Sequence, residues 1–481
     1  MTTLVSVLAK YDTASRFKAW RARLGLSREQ AATTLETSRH TIKAYELGDR
    51  KVPIQVFKLM EMLEVSLPPA LAPTPGAAIR IIGGGTVSHI RNHLALCAPA
   101  YGSTAKSLLA LCVQQGREAD LLLTRMANPA SPYETNADLA DLADQIVADP
   151  TARIVFWNPA LCDFVGAIGE VASGRKADRL KTSEGARQVE LTPAPKVVDR
   201  FRATRKDLFL VAFKSTTNAT PDQQYLAGLA LLKRASANLV LANDTVTGLN
   251  MVIVPEEARY HQTFDRERAL SGLVEMALLR SANTFTRSEV VSDEGVSWMD
   301  PVIPENLRAV VNHCIARGAY KPFQGKTVGH FAVRGPDGSI ITSRRKSNFN
   351  YLPINGMVKI VPTGSDTVQA HGGKPSVGGM SQRIIFNEHP EATNIVHFHC
   401  PLREGVHTVP LRSQRAVECG SHQCGQNTSD GLSIVEEGIK AVMLDNHGPN
   451  IVYGKEVSAK RVIDFIERHF DLEAKTGGLV S

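Results

Sequence analysis

The chain has 481 residues, of which 43% are hydrophobic and 21% charged, and its formal net charge at pH 7 is +7. This composition is ordinary for a globular protein, and the length suggests about three domains. No run of about 18 apolar residues and no secretory signal pattern is present, so we expect neither a membrane span nor export. The seven scattered cysteines fit reduced thiols, and we expect a cytoplasmic protein. The mild positive charge is compatible with nucleic acid or phosphorylated ligands.

Residues 1–68 are predicted to form short helices separated by tight breaks. In the stretch "SRHTIKAYELG", Ser38 is a natural N-cap, and Gly48 is suited to end the helix. Ile42 and Tyr45 have the spacing of side chains that face a core. The segment therefore predicts an all-α domain.

The pattern "LSREQAATTLETSRHTIKAYELGDRKVP" resembles the helix-turn-helix domain of the Xre and lambda-repressor type. In such domains the second helix enters the major groove of double-stranded DNA with its N-terminal residues at the base edges. The resemblance implies DNA contacts from four residues of that helix: Arg39, His40, Thr41 and Lys43. The alternative is a small helical bundle used for dimerisation or protein contact. Residues 69–78 are interpreted as a linker.

Residues 79–285 alternate apolar strands with helical segments. Strands are predicted at "AIRII", "ARIVFWNPA", "LFLVAFKS" and "ANLVLANDT". This alternation predicts a Rossmann-like α/β domain with a parallel sheet, which binds ligands at the carboxyl ends of its strands. Three glycines after the first strand would let the backbone approach a phosphate, although such glycines also form simple tight turns.

The order of motifs in this segment resembles the phosphopantothenoylcysteine synthetase domain of coenzyme A biosynthesis. The resemblance is carried by Gly84-Gly85-Thr86, "ALCDF", "VELTPAPKVV" and "LKRASANLVLAND". Members of this family activate a carboxylate with CTP or ATP before an amine attacks. The resemblance implies six nucleotide-binding residues: Gly84, Gly85, Lys181, Lys233, Arg234 and Asn243. The alternative for Lys233 and Arg234 is a solvated helix end. Thr216 stands where the family has a glutamate, which puts the activity in doubt.

The stretch "NIVHFHC" ends a predicted strand with His397 and His399. Alternation along a strand places both imidazoles on one face about 7 Å apart, within reach of one divalent cation. His447 ends another apolar strand and precedes a glycine. Three neutral imidazoles with an open position are typical of a catalytic site for zinc or a similar ion, which would polarise a carbonyl or an enediolate. The alternative is that each histidine is an ordinary buried or surface residue.

Residues 286–481 resemble the class II aldolase/adducin family in the His-x-His, in Asn446-His447-Gly448 and in "KPSVGG". The resemblance implies an α/β fold and a phosphorylated substrate. The residues implied to hold the phosphate are Thr342, Ser343 and Ser376, with Arg344, Arg345 and Lys346 adding charge nearby. Gly378 stands where family aldolases have the glutamate that serves as catalytic acid and base. His330 and His371 are the candidates to replace it, and adducin-like members of the family are non-enzymatic.

The sequence thus predicts a multidomain protein with an all-α, a Rossmann-like α/β and an aldolase-like α/β part. Our first hypothesis is a fusion enzyme, ligase-like and lyase-like, that acts on phosphorylated small molecules and also binds DNA. The alternative is a metabolite-sensing transcription regulator, because binding residues persist while two glutamates expected for chemistry are absent. A scaffold protein is the third hypothesis. In each case we expect a homo-oligomer, a dimer or a tetramer. "ECGSHQCG" lacks the spacing of a standard zinc finger, and we interpret it as a structured loop.

Overall fold

The computed structural model describes a multidomain α/β protein over residues 14, 17–18, 21, 28–35, 37–53, 55–56, 78–364, 366–377 and 379–476. The chain forms two compact units, residues 1–213 with 266–274 and residues 214–265 with 275–481. This division does not follow the expected boundary between residues 285 and 286, and the domain bounds stay a prediction. Within the described ranges, no helix is both long and apolar enough to cross a membrane.

Two short helices carry the N-terminal part, α1 (Arg28–Thr34) and α2 (Arg39–Leu47). The Ser38 hydroxyl accepts a hydrogen bond from the Thr41 amide at 3.1 Å, and Gly48 adopts a φ of 74°. The predicted N-cap and the predicted end of this helix are therefore confirmed.

A small apolar core lies under these helices. Phe17, Ile42 and Tyr45 are each at most 5% exposed and pack with Ala31 and Val52. The inward positions of Ile42 and Tyr45 are thus confirmed, whereas the assignment as a helix-turn-helix domain stays a prediction.

The rest of the first unit is built on a parallel sheet. The strands of this part of the chain are β1 (Ala78–Gly85), β2 (Val87–Arg91), β3 (Leu94–Cys97), β4 (Ala119–Leu123), β5 (Ala152–Ala160), β6 (Phe164–Ala167), β7 (Glu190–Pro193) and β8 (Phe209–Thr216). Strand β8 continues into the second unit. The helices are α3 (Ser103–Gln114), α4 (Asn136–Ala148) and α5 (Arg200–Thr204). Strands β4, β1, β5 and β8 lie side by side in this order and are all parallel. The alternation of elements predicts the parallel pairing of β1, β5 and β8, whereas strand β4 and the strand order were not predicted. β2 pairs with β3, and β6 with β7.

In the second unit, residues 214–265 form an antiparallel arrangement. The elements are α6 (Pro221–Ala235), β9 (Leu239–Asp244), β10 (Asn250–Ile253) and β11 (Arg259–Thr263), and helix α7 (Arg266–Ser281) follows. β10 pairs antiparallel with both β9 and β11. The sequence predicts a parallel sheet from β1, β5, β8 and β9 and does not predict β10 or β11. These two strands are antiparallel because their short connections cannot make the crossover that parallel strands need.

The remainder of the second unit is built on a ten-stranded sheet. Its strands are β12 (Arg287–Ser292), β15 (His330–Arg334), β16 (Ile340–Ser343), β17 (Met357–Pro362), β18 (Thr367–His371), β19 (Asn394–His397), β20 (Leu411–Arg412), β21 (Ser433–Glu436), β22 (Ile439–Leu444) and β23 (Gly448–Tyr453), and β13 (Pro322–Phe323) and β14 (Lys326–Thr327) form a separate pair. The helices are α8 (Glu305–Ala316), α9 (Leu352–Asn355), α10 (Met380–Glu388), α11 (His422–Gly431) and α12 (Ala459–His469). The order is β12-β18-β17-β16-β15-β19-β23-β22-β20, with β21 against β22.

The centre of this sheet positions the candidate site. β19 lies between β15 and β23, and its register aligns His397 with His330 on one side and with Asn450 on the other. A core that includes Trp298, Phe331 and Phe398 packs against these strands. The strand ends are therefore held by a well-packed apolar layer.

Candidate metal centre

Three histidines converge where β19 and β23 lie side by side. His397 is the last residue of β19, His399 follows two residues later, and His447 lies in the turn between β22 and β23. The structure therefore brings together the two histidine motifs that the sequence singles out, although about fifty residues separate them.

A glycine controls how closely these segments approach. A Cβ atom built at Gly448 would lie 2.0 Å from the carbonyl oxygen of Phe398, and Gly448 has a φ of 155°. Any side chain at this position would push β23 away from the chain that carries His399. Glycine after His447 is therefore required by the packing of the site itself.

The spacing of the imidazoles suits one metal ion. Their ligand nitrogens lie within 4.8 Å of one another, and Nε2 of His397 lies 3.2 Å from Nε2 of His447. Two nitrogens bound to one tetrahedral zinc are about 3.3 Å apart. The rings of His397 and His399 are 5.0 Å apart between centroids, closer than the 7 Å expected along an extended strand, because β19 ends at His397.

The hydrogen bond of His397 leaves the lone pair of its other ring nitrogen facing the site. Nδ1 of His397 donates to the carbonyl oxygen of Pro449 at 2.7 Å, so its Nε2 is unprotonated in the neutral ring. Nδ1 of His399 and Nδ1 of His447 are buried and have no hydrogen-bond partner among the described residues. The nitrogens that face one another are Nε2 of His397 and Nε2 of His447. A cation shared by the three rings would bind the lone pair on Nε2 of His397, so the residues fit a metal.

Burial keeps these histidines neutral. His397, His399 and His447 are 1%, 3% and 1% exposed. Burial lowers the pKa of His397 to about 4, against the opposing effect of its hydrogen bond to Pro449. Burial also holds the pKa of His399 and of His447 well below the usual value, and the neighbouring imidazoles add to the effect. The neutral imidazole is the form that binds metals.

A fourth histidine lies beside the triad. The rings of His330 and His397 are 4.9 Å apart between centroids. Nε2 of Gln382 lies 3.1 Å from Nδ1 of His330 and 2.9 Å from Oγ1 of Thr342. Because the Thr342 hydroxyl donates to the Phe331 carbonyl oxygen, it accepts from the Gln382 amide. The amide nitrogen therefore faces His330, whose neutral ring holds its proton on Nε2.

The other candidate for the missing acid and base is not near the triad. His371 lies on β18, four strands away from β19 in the sheet. Gly378, at the position of the family's glutamate, lies outside the described residues. Of the two histidines singled out from the sequence, the structure brings only His330 to the site.

The candidate phosphate residues are close together. The hydroxyl oxygens of Ser343 and Ser376 lie 2.6 Å apart, and the Ser376 amide donates to the Ser343 carbonyl oxygen at 2.9 Å. A Cβ atom built at Gly373 would lie 2.9 Å from Nε of Arg344, which places that guanidinium at the same loop. The Thr342 and Ser343 side chains are both fully buried and bonded internally, which leaves Ser376 as the one partly exposed residue of the three.

A basic cluster borders these serines. The pKa of Lys346 is lowered by partial burial and by the positive charges of its neighbours, which are Arg345, Lys326, Lys374 and Lys233. A pKa that is lowered by neighbouring positive charges means that these cations lie close enough to repel one another. An anionic ligand would relieve that repulsion.

The glycine turn after β1 is occupied by the protein itself. A Cβ atom built at Gly85 would lie 2.0 Å from the Ala98 carbonyl oxygen. The Gly85 amide donates to the Ala100 carbonyl oxygen at 2.8 Å, and the Thr86 amide donates to the Ala160 carbonyl oxygen at 3.0 Å. These two amides are therefore engaged by the chain and do not point freely at a phosphate. At Gly84 a Cβ atom would lie 2.2 Å from Oγ1 of Thr124.

The other candidate nucleotide residues do not form one cluster. Lys181 is exposed in the first unit. Asn243 is near the carboxyl end of β9, whereas Lys233 pairs with Glu257 at 3.0 Å, beyond the opposite end of that strand. Arg234 is exposed at the end of α6. The structure thus separates Lys233 from Asn243.

The candidate DNA-binding residues share one surface of the N-terminal helices. Arg39, His40 and Lys43 are exposed on α2, Thr41 is partly exposed, and Arg28 of α1 lies nearby. Four of these side chains line a concavity of about 270 Å³: Arg28, Arg39, His40 and Lys43. Arg39 also forms an exposed ion pair with Glu29 at 3.1 Å.

Three residues of the site were not foreseen from the sequence: Gln382, Glu257 and Lys475. Glu257 and Lys475 form a buried ion pair across 218 residues of sequence. No local pattern marks such a pair, because only the fold brings its members together. Gln382 is a polar residue on the buried side of α10, and that mismatch with the apolar pattern is the only sequence signal.

The segment around Cys424 is part of a helix. Ser421 caps α11 by accepting from the Cys424 amide at 3.0 Å, and the Gln414 amide contacts the Cys424 sulfur at 3.3 Å. Within the described part of the chain, the histidine triad is the one group spaced for a metal.

Comparisons with known proteins find similarity in separate parts of the chain. No family model matches it. A stretch of 168 residues is 21% identical to the coenzyme A biosynthesis bifunctional protein CoaBC of Thermococcus kodakarensis, over 35% of this chain and 41% of that protein. The chain thus spans about two fifths of this relative.

Among solved structures, the DNA/pantothenate metabolism flavoprotein of Streptococcus pneumoniae is 18% identical, with 42% of this chain and 96% of that chain covered and a TM-score of 0.35. The putative aldolase/epimerase/decarboxylase YgbL of Escherichia coli is 19% identical, with 34% and 84% covered and a TM-score of 0.26. An L-fuculose 1-phosphate aldolase is 15% identical, with 34% and 82% covered and a TM-score of 0.26.

Proposed function

We propose that the triad of His397, His399 and His447 binds a divalent metal, zinc being the best suited, and that the chain is a metal-dependent lyase for a phosphorylated hydroxy-carbonyl compound. The observation that carries the proposal is the 3.2 Å approach of the Nε2 atoms of His397 and His447 in a buried site of neutral imidazoles. Two lone pairs are favourable at this distance when they share a cation. A metal held there would supply Lewis-acid stabilisation of a carbonyl or enediolate oxygen.

The chain's own residues would bind the substrate and move its proton. The hydroxyls of Ser343 and Ser376 and the guanidinium of Arg344 suit a phosphate group. We assign His330 as the proton donor to the substrate, because its neutral ring lies 4.9 Å from the His397 ring and holds a proton on Nε2. It would act in place of the glutamate that Gly378 replaces.

The test of this proposal is proton exchange, the half-reaction that precedes bond formation in an aldol reaction. Metal-loaded protein is mixed with dihydroxyacetone phosphate in D2O, and loss of the signal from the proton next to the carbonyl is followed by NMR. We expect exchange with the native chain and with His407→Gln, a change at an exposed histidine. We expect none with His447→Ala. Exchange that persists in His447→Ala would overturn the proposal.

For residues 79–285 we propose carboxylate activation with CTP or ATP. The support is the parallel arrangement of β4, β1, β5 and β8, a fold that binds ligands at the carboxyl ends of its strands. Because the Gly85 and Thr86 amides are engaged, phosphate contacts would have to come from side chains. Equilibrium dialysis with CTP and with ATP, for the native chain, Lys181→Met and Asn243→Ala, tests this part.

A metabolite-sensing regulator is the second candidate function. It is favoured by the exposed basic residues at the start of α2, Arg39, His40 and Lys43, which no described acidic cluster neutralises apart from the Arg39–Glu29 pair. Duplex DNA binding measured by fluorescence anisotropy at 50 and 200 mM salt tests it, since phosphate contacts produce a steep salt dependence. Lys43→Ala should weaken binding, and equal affinity would contradict the assignment.

We also propose that the protein is cytoplasmic and that it assembles as a homo-oligomer, either a dimer or a tetramer. Light scattering coupled to size-exclusion chromatography of the full chain measures its mass in solution, and a monomer would remove this part of the proposal.

A further inference from the structure

A buried group of three charges lies close to the histidine triad. The carboxylate of Glu257 pairs with Nζ of Lys233 at 3.0 Å and with Nζ of Lys475. The side chains of Glu257 and Lys475 are 1% and 4% exposed, and that of Lys233 is 30% exposed. Two ammonium groups and one carboxylate leave a net charge of +1 that is largely removed from water.

The backbone fixes this group in place. Glu257 adopts a φ of 63°, in the left-handed region that a glutamate rarely occupies, and its carbonyl oxygen accepts from the Tyr225 hydroxyl at 2.6 Å. Next to Lys475, the Thr476 amide donates to the carbonyl oxygen of His399 at 3.0 Å. Lys475 is therefore tied to the backbone of one of the three histidines.

Both lysines act electrostatically on the site. Their positive charges add to burial and to the neighbouring imidazoles in lowering the pKa of His399. Lys233 also acts on Lys346, within the basic cluster beside Ser343 and Ser376.

With a metal bound, the positive charge at this site would exceed the negative charge that the protein supplies. A divalent cation held by three neutral imidazoles would add two positive charges to the +1 of the lysine–glutamate group. No carboxylate joins the triad among the described residues, and Gly378 supplies none. Buried positive charge is costly unless it is paired, so the site favours a ligand with negative charge close to the metal.

We infer that Lys233 and Lys475 bind a carboxylate of the substrate, adjacent to its metal-coordinating oxygen. The inference rests on the proposed function and deepens it. The substrate class is then a phosphorylated 2-oxo or 2-hydroxy acid, with its phosphate at the two serines and its carboxylate at the two lysines. A ketose phosphate carries no carboxylate and would leave the net +1 of the lysine–glutamate group unbalanced. Glu257 holds the two ammonium groups in position when no substrate is present.

The test compares two ligands of nearly the same shape, pyruvate and the uncharged hydroxyacetone. Both are titrated into the full chain loaded with Co²⁺, whose visible absorption reports ligands that enter the coordination sphere. We expect Lys475→Met and Lys233→Met to weaken pyruvate binding about tenfold, the value of one charge-assisted hydrogen bond, and to leave hydroxyacetone unchanged. Lys475→Arg should largely restore pyruvate binding. Lys460→Met, a change on the exposed face of α12, is the matched control.

A second variant distinguishes recognition from mere support of the fold. Glu257→Gln removes the competing carboxylate and should tighten pyruvate binding, whereas a purely structural role predicts that it weakens binding as the lysine changes do. Unchanged Co²⁺ content and ligand-free spectra show that each variant is folded at the site.

Several outcomes would overturn the inference. These are equal pyruvate binding by Lys475→Met and Lys460→Met, parallel loss of both ligands, or weakening of inorganic phosphate binding with pyruvate unaffected. Failure of the native chain to bind Co²⁺ would remove the proposed function and the inference together. Pyruvate binding that is unaltered by both lysine changes, beside proton exchange with dihydroxyacetone phosphate in the native chain, would overturn the inference and leave the proposed function standing.

Discussion

Lowering the pH should destabilise the metal-free protein through its buried histidines. The pKa of His397 is about 4 in the folded chain, against about 6.5 in an unfolded one. Above the unfolded value both states are neutral and the shift has no effect. As the pH falls from about 6.5 towards 4, the unfolded chain takes up a proton that the folded chain refuses. At pH 5 this costs about 2 kcal/mol of stability from His397 alone, and His399 and His447 shift in the same direction.

The assay is urea unfolding of chelator-treated protein at pH 7.5 and pH 5. Trp298 is a local reporter, since it is 2% exposed and its ring centroid lies 5.6 Å from that of Phe331, the neighbour of His330 on β15. A Trp20→Phe/Trp157→Phe background leaves it as the single tryptophan.

The decisive comparison is between His397→Gln and the parent background. The loss of stability from pH 7.5 to pH 5 should be smaller by about 2 kcal/mol in His397→Gln, because the side chain that titrates only in the unfolded state is gone. His407→Gln, at an exposed position, should keep the full loss. Identical pH dependence in His397→Gln and the parent would refute the reasoning.

Three further predictions concern packing and pairing. Gly85→Ala should destabilise the chain by about 1–3 kcal/mol, because its Cβ atom would lie 2.0 Å from a backbone oxygen, whereas Gly174→Ala, with open space around it, should change the melting temperature little. Arg280→Met should cost about 3–5 kcal/mol in urea unfolding, since Glu256 would lose its partner in a fully buried site; a stable variant would contradict the ion-pair assignment. Ser38→Ala should cost α2 about 1 kcal/mol, measured as faster amide exchange in that helix, and Ser38→Asp should not.

The histidine site could be predicted from the sequence because each of its motifs spans only a few consecutive residues. A pair of histidines at a strand end and a histidine–glycine pair after another strand each mark a position, and Gly448 has a physical reason to be glycine. The parallel pairing of β1, β5 and β8 also follows from alternating elements. In the N-terminal part, the cap at Ser38 and the end at Gly48 were likewise local signals.

Other features depend on contacts that no local pattern records. Lys233 has the sequence context of a nucleotide ligand, but it pairs with Glu257. The glycines after β1 have the composition of a phosphate loop, yet the segment that approaches Gly85 is the chain's own Ala98–Ala100. Residue type and spacing indicate that a close approach occurs, whereas the partner is determined by the tertiary fold.

The central claim is that the three histidines hold one metal ion. The most direct measurement is metal content by inductively coupled plasma mass spectrometry, for the native chain and for His397→Ala/His399→Ala purified side by side, with His407→Gln as control. We predict about one divalent ion per chain in the native protein and in His407→Gln, and none in the double variant. Equal metal content in all three proteins, or no metal in any of them after incubation with zinc, would contradict the account.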